Sequence, residues 1–313
     1  MKSCVDFQPR PSGKKTLGTV ALYAALLLAA VFLIATRDGS ALSEGGVQVV
    51  LREVTALPVL AEAALGAADK TGTLKGVVTF EGTPPKRDPL VAKGDQSVKD
   101  AAVCSVDAVP DESFLVNEES KGIANVFIFL EKAPAAVKPP QPKEKELVFD
   151  QKGCRFIPHV LCIQVGQKVI VKSDDAVPHN THTHPFRNSG FNQTIAANDR
   201  KGVELIYTRP ERIPVEVRCD FHKWMVARHM VLDHPYMAVT DSNGQFEIQN
   251  LPAGNHKFKI WQEKDNGRWL EKELAVEIKP GVTTELTLKY DAAKFAGPAG
   301  ARGRVVEVAS GSR

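Results

Sequence analysis

From Leu74 onward the chain is written in short apolar runs whose side chains alternate with polar ones, separated by clusters of Pro, Gly, Asn and Asp. LKGVVTFEG, ANVFIFLEK, ELVFDQ, KVIVKS, GVELIYT, PVEVRC, QFEIQN, HKFKIWQ, ELAVEIK and TELTLKY are the clearest of them. A period of two turns one side of each segment to a core and the other to water, so the pattern predicts strands. Short strands repeated between turn signals build β-sandwiches. The expected fold class is therefore all-β. No segment beyond the N-terminal region has a long helical period.

The exception to this pattern is residues 17–35, an uncharged apolar run of 19 residues. As a helix it would span about 28 Å, close to a bilayer core of about 30 Å. Lys2, Arg10, Lys14 and Lys15 precede it, which holds the N-terminus in the cytoplasm and sends the remainder across. The run exceeds the usual apolar core of a signal peptide, yet Gly39-Ser40-Ala41 offers small residues for cleavage, so both an uncleaved anchor and a removed signal stay open. Either one exports the chain to the periplasmic or extracellular side, the anchor tethering it to the inner membrane.

Composition narrows the classes further. At 313 residues, with 43% hydrophobic and 25% charged positions, the chain is neither a disordered protein nor a small disulfide scaffold nor a multi-span membrane protein. Its net charge of +3 resides in residues 1–41, where five Lys/Arg face Asp6 and Asp38; the rest balances at 35 basic and 35 acidic residues. That balance argues against a nucleic-acid partner.

The candidate chemistry lies in Val215-Glu-Val-Arg-Cys-Asp-Phe-His-Lys-Trp-Met225. A strand here directs Cys219 inward with Val215 and Val217, and His222 and Met225 follow in a turn short enough to fold back on it. Pro178-His179-Asn180 follows another strand some forty residues earlier and offers a further donor. One thiolate, two imidazoles and a thioether are the ligand set of a blue-copper electron-transfer site, with a weak axial Met. Such a mixture compromises between Cu(I), which favours sulfur, and Cu(II), which favours nitrogen.

These residues resemble the cupredoxins, in loop length most nearly amicyanin, across roughly residues 143–233. The resemblance implies a Greek-key sandwich holding one type 1 copper, with His179, Cys219 and His222 as equatorial ligands and Met225 as the axial one. It implies that Asn180 braces the cysteine loop by hydrogen bonds. It also makes the His222 ring edge the electron exit through an apolar patch in which Trp224 would lie. His182 and His184 depart from the family pattern. Two apart on an extended segment they would share one face, either as exposed side chains or as a second metal site. His159, His229, His234 and His256 read as structural.

With Cys219 as a ligand and Cys4 before the apolar run, Cys104, Cys154 and Cys162 remain for one disulfide in an oxidising compartment. Spacing alone leaves three pairings open. Cys104 with Cys154 is the expected one, because Cys162 sits in the apolar run VLCIQV.

A second module is legible around the first. AVTDSNGQFEI and LPAG resemble the carboxypeptidase-regulatory or transthyretin-like sandwich, whose opening pieces stand far upstream as Gly76-Val-Val-Thr-Phe-Glu-Gly82 and Ala124-Asn-Val126. The resulting layout has a cytoplasmic tail with anchor or signal at 1–41, a stalk at 42–72, the first part of this sandwich at 73–132, and the copper domain at 143–235. The second part of the sandwich follows at 236–290 and a disordered tail at 291–313. Tandem domains are the alternative to insertion.

The functional expectation is an extracytoplasmic carrier of single electrons between redox partners, not an enzyme. Residues 143–235 carry a net +3, so a redox partner would present an acidic docking face. The rival readings are a copper-delivery protein using His182 and His184 with Met225 and Met230, and a surface adhesion module stabilised by zinc on Cys219, His222, His179 and His182 or His184.

Overall fold

The computed structural model describes residues 70–135, 138–142, 144–264, 267–296 and 304–310. In chain order its first elements are β1 (Thr71–Glu81), α1 (Ala101–Cys104), β2 (Phe127–Leu130), β3 (Glu146–Gln151), β4 (Phe156–Ile157), β5 (Val160–Gln164), β6 (Lys168–Val171), β7 (His179–His184) and β8 (Asn192–Ile195). There follow β9 (Val203–Ile206), β10 (Val215–Arg218), β11 (Val226–Leu232), β12 (Met237–Val239), β13 (Gln245–Pro252), β14 (Gly254–Gln262), β15 (Arg268–Ile278), β16 (Thr283–Asp291), α2 (Ala292–Ala296) and β17 (Arg304–Ser310). The protein is all-β, as the periodicity predicts.

Four sheets form two sandwiches. The orders β5-β11-β10-β7-β8 and β4-β3-β6-β9 share a core that includes Phe149, Leu161, Val169, Val217 and Cys219. The orders β13-β1-β16-β17 and β12-β2-β14-β15 share another, including Leu74, Ile128, Phe246 and Leu288. All strands of the first pair lie between β2 and β12 in the chain.

The strands that read as continuous apolar runs have both faces covered. In β2, Ile128 and Leu130 enter the core of their own sandwich, while Phe127 and Phe129 pack with Val160 and Cys162 of β5 and Met230 and Leu232 of β11. This third cluster binds the two sandwiches face to face. By contrast β10 alternates, with Val215 and Val217 buried and Glu216 and Arg218 half-buried, because its outer face meets solvent. The turn before β13 needs its glycine: Asp241 accepts the N–H groups of Asn243 and Gln245, and a Cβ on Gly244, at φ 76°, would lie 2.2 Å from the Val78 carbonyl oxygen.

Two boundaries differ from the sequence reading. β1 begins at Thr71, two residues inside the expected stalk. The region 291–313, expected to be disordered, contributes α2 and β17, which pairs antiparallel with β16. The average Gly, Ala and Arg content of that region hides the β-branched run RVVEVAS, and the open edge of β16 supplies a partner for its backbone. Phe295 of α2 is buried against Phe114 and Phe80. The apolar run 17–35 lies outside the described residues, among which no helix is long and apolar enough to cross a membrane.

Candidate metal centre

Alternation along β10 delivers Cys219 to the core at the strand end, and the loop after it closes on itself. The Cys219 N–H donates to the Met225 carbonyl at 3.2 Å and the Met225 N–H to the His222 carbonyl at 2.9 Å. β7 runs antiparallel to β10, Val217 opposite Thr183 and Arg218 opposite His182. That register carries His179 to the open side of the loop.

Three of the four expected ligands present their donor atoms to one point. The Nδ1 atoms of His179 and His222 are 2.9 Å apart, Cys219 Sγ is 3.8 Å from His222 Nδ1, and the three donors all lie within 4.8 Å of one another. His179, Cys219 and His222 are buried, and Met225 is buried in the same core. Asn180 accepts the Asp220 N–H at 2.6 Å and donates to the Asp220 carboxylate at 2.7 Å, tying β7 to the start of the loop.

The far nitrogens are also occupied. His179 Nε2 lies 2.8 Å from Asp175, and His222 Nε2 lies 2.9 Å from Asp100. A carboxylate takes an N–H, so this network assigns the hydrogen to Nε2 in both rings and leaves both Nδ1 lone pairs aimed at each other. Two lone pairs at that distance repel unless a proton or a cation lies between them.

The electrostatics agree with such a demand for positive charge. Burial opposes ionisation of Cys219, but the adjoining His179 and His222 rings and the Asn180 and His222 backbone N–H groups outweigh it and bring the thiol down to about 6. Burial likewise opposes a charged His179, yet Asp175 and Cys219 together raise it. Asp175 itself is held below the ordinary carboxylate range, against its burial, by His179 and by the Cys154 and Gly153 N–H groups. The donor set of thiolate and imidazoles fits copper.

Solved structures similar to part of the chain are copper proteins of the cupredoxin kind. A purple cupredoxin from Nitrosopumilus maritimus is 23% identical over 28% of this chain and 97% of its own, with a TM-score of 0.23. Amicyanin from Paracoccus versutus is 17% identical over 33% of this chain and 96% of its own, at 0.24. A Cu-containing nitrite reductase from Thermus scotoductus is 18% identical over 32% of this chain, at 0.25, and the match spans only 24% of that enzyme. No family model matches this chain, and no curated protein does.

One expectation is altered by the structure. The His222 ring edge, expected to be the electron exit through an apolar surface patch, is 0% exposed and closed by the Asp100 carboxylate. The segment carrying Asp100 folds over it from 122 residues away in sequence, which no local pattern announces. Trp224 is half-buried, packs against His222 with ring centroids 5.2 Å apart, and donates Nε1–H to the Cys154 carbonyl at 3.2 Å. It lines a cavity of about 290 Å³ with Lys223, Arg218 and Arg155.

Strand alternation sends His182 and His184 to the face of β7 opposite His179. Their rings are 4.2 Å apart, and His182 Nδ1 lies 3.1 Å from Asp220. His159 is paired with Glu263, His229 with the Tyr207 hydroxyl at 3.1 Å, His234 with the Tyr236 N–H and His256 with the Pro252 carbonyl. The disulfide joins Cys104 and Cys154. Cys162 is buried between the sandwiches and outside any disulfide.

Proposed function

We propose that this chain is an extracytoplasmic type 1 copper protein that passes single electrons between redox partners and is not itself an enzyme. The observation that carries the reading is the convergence of His179 Nδ1, His222 Nδ1 and Cys219 Sγ on one buried point while both Nε2 atoms are held by carboxylates. Copper held by these residues and Met225 would alternate between Cu(I) and Cu(II) and so carry one electron at a time. The chain's own part is to keep the donors fixed: His179 on β7, Cys219 at the end of β10, and His222 and Met225 in a loop closed by its own hydrogen bonds.

The copper domain, residues 143–235, is inserted in a scaffold sandwich made of 73–132 and 236–290. The sheet orders support this, since β1 and β2 pair only with strands that follow residue 236. Export is supported by the disulfide. Electrons leave through Trp224, which touches His222 and borders the cavity beside Lys223 and Arg218. An acidic redox partner would dock there, more slowly as salt rises.

Both rival readings lose support. The zinc site would need His182 or His184 as a fourth ligand, and both sit on the wrong face of β7. Copper delivery would use Met225 and Met230, which are buried in different clusters. Copper analysis after Cu(II) loading of the full chain tests the proposal. One copper retained in Cys162→Ser and none in Cys219→Ser is expected; copper retained in Cys219→Ser would overturn it.

A further inference from the structure

The two carboxylates behind the imidazoles come from separate parts of the chain, and the disulfide joins those parts. Asp100 opens α1: its carbonyl accepts the N–H groups of Val103 and Cys104, each at 2.9 Å. Asp175 is held by the N–H groups of Gly153 at 2.6 Å and Cys154 at 2.8 Å. One half-cystine thus belongs to the turn that carries Asp100, the other to the turn that grips Asp175 and receives the Trp224 N–H. The Cys154 sulfur lies within 4.8 Å of donor atoms of Asp175 and His179, but as half of a disulfide it offers no thiolate.

Two of the six described non-glycine residues with a left-handed backbone fall in these two turns. Asp100 is in the left-handed region at φ 54° and Cys154 at φ 53°. Asp tolerates that region, whereas Cys does so seldom. Such conformations persist where the surroundings over-determine them, and they gather at functional sites.

We propose that Asp100 and Asp175 are a matched pair of positioning residues for the metal centre, and that the Cys104–Cys154 disulfide clamps their two supports into one unit. The proposal rests on the copper reading given above. An Nε2–H donated to a carboxylate fixes the tautomer, orients the ring and makes Nδ1 a stronger donor. Stronger nitrogen donors favour Cu(II) over Cu(I), so the pair lowers the reduction potential of the site. Asp100 also closes the His222 edge, leaving Trp224 as the neighbour through which an electron reaches the surface.

Asp100 is partly exposed, with 32% of its side chain accessible, so its replacement leaves the core intact. In the full chain, Asp100→Asn should weaken Cu(II) binding about 10- to 100-fold and Cu(I) binding less. Each tenfold difference between the two raises a one-electron potential by about 59 mV. Cys104→Ser should shift both quantities in the same direction. Unchanged affinity and potential in Asp100→Asn would overturn the role of Asp100, and in Cys104→Ser the role of the clamp. A second measurement needs no metal: nitrogen NMR of the metal-free full chain should show Nε2 protonated in both His222 and His179, with at most one proton shared between their Nδ1 atoms, and Asp100→Ala should release the His222 ring alone. An Nδ1–H tautomer at His222 in the wild-type chain would overturn the pairing. Failure of the wild-type chain to take up copper would overturn the copper reading instead, and the tautomers would still decide the hydrogen bonds.

Discussion

His179 and His222 face each other through their Nδ1 atoms at 2.9 Å, each ring backed on its other side by a carboxylate. A structural pair of histidines has no reason to point two lone pairs at one spot; shared hydrogen bonding to water or carbonyls would satisfy them at lower cost. With Cys219 at the third corner, the arrangement is one that a cation completes.

Elsewhere the histidines set a pH dependence of stability. His229 is fully buried, and burial alone pushes it from 6.5 down to about 3. A buried base of this kind favours folding fully above its unfolded value of about 6.5 and loses that contribution as pH falls through the interval toward 3. Between pH 7 and pH 5 the loss attributable to His229 is about 2 kcal/mol. Denaturant unfolding at the two pH values should therefore show a fall in wild type that is smaller by this amount in His229→Gln. An identical fall in both would refute the assignment.

The contact between the sandwiches contains a buried charge network. Glu263, just beyond β14, accepts from Arg228 Nε at 3.0 Å and pairs with His159 on the other sandwich. Burial opposes charge on both His159 and Glu263, yet their pairing raises the first and, with Arg228, lowers the second. Glu263→Ala would take from the buried His159 its carboxylate partner and leave Arg228 with Glu216 alone, so it should cost about 3 kcal/mol. A calorimetric midpoint unchanged from wild type would contradict this.

The disulfide closes a loop across a sequence separation of 50 residues. In the chain-entropy description this is worth about 4 kcal/mol. Metal-free Cys154→Ser should lose about that much in urea unfolding, whereas Cys162→Ser should not reproduce a loop-closure effect. Equal stability of wild type and Cys154→Ser would show that packing alone holds the segment that carries Asp100 in place.

At the C-terminal end, β17 covers an edge of β16 along Thr284 to Lys289. Removing residues 297–313 would leave that edge open to pairing with other chains. Light scattering on warming should begin at a lower temperature than in the full chain; an unchanged onset would mean that the edge is protected in another way.

These features were unevenly legible in the sequence. Cys219 and His222 are three residues apart at a strand end, and the alternation of Val215 and Val217 already points the thiol inward. The strands β2, β5 and β11 were visible as apolar runs, but their continuous burial waits on a second sandwich that periodicity cannot show. β7 and β8 escaped the pattern: HNTHTH and NQTI carry few apolar residues, and neighbouring strands rather than hydrophobicity hold them. Asp175, four residues before His179, is a local acid that could have been noticed. Asp100 could not, because only the tertiary fold brings it to His222.

Visible absorption on adding one equivalent of Cu(II) to the full chain tests the copper centre most directly. An intense thiolate-to-copper band is expected, bleached reversibly by a one-electron reductant and absent from Cys219→Ser. A pale spectrum with no such band, or a band that survives in Cys219→Ser, would contradict a type 1 site built on His179, Cys219, His222 and Met225.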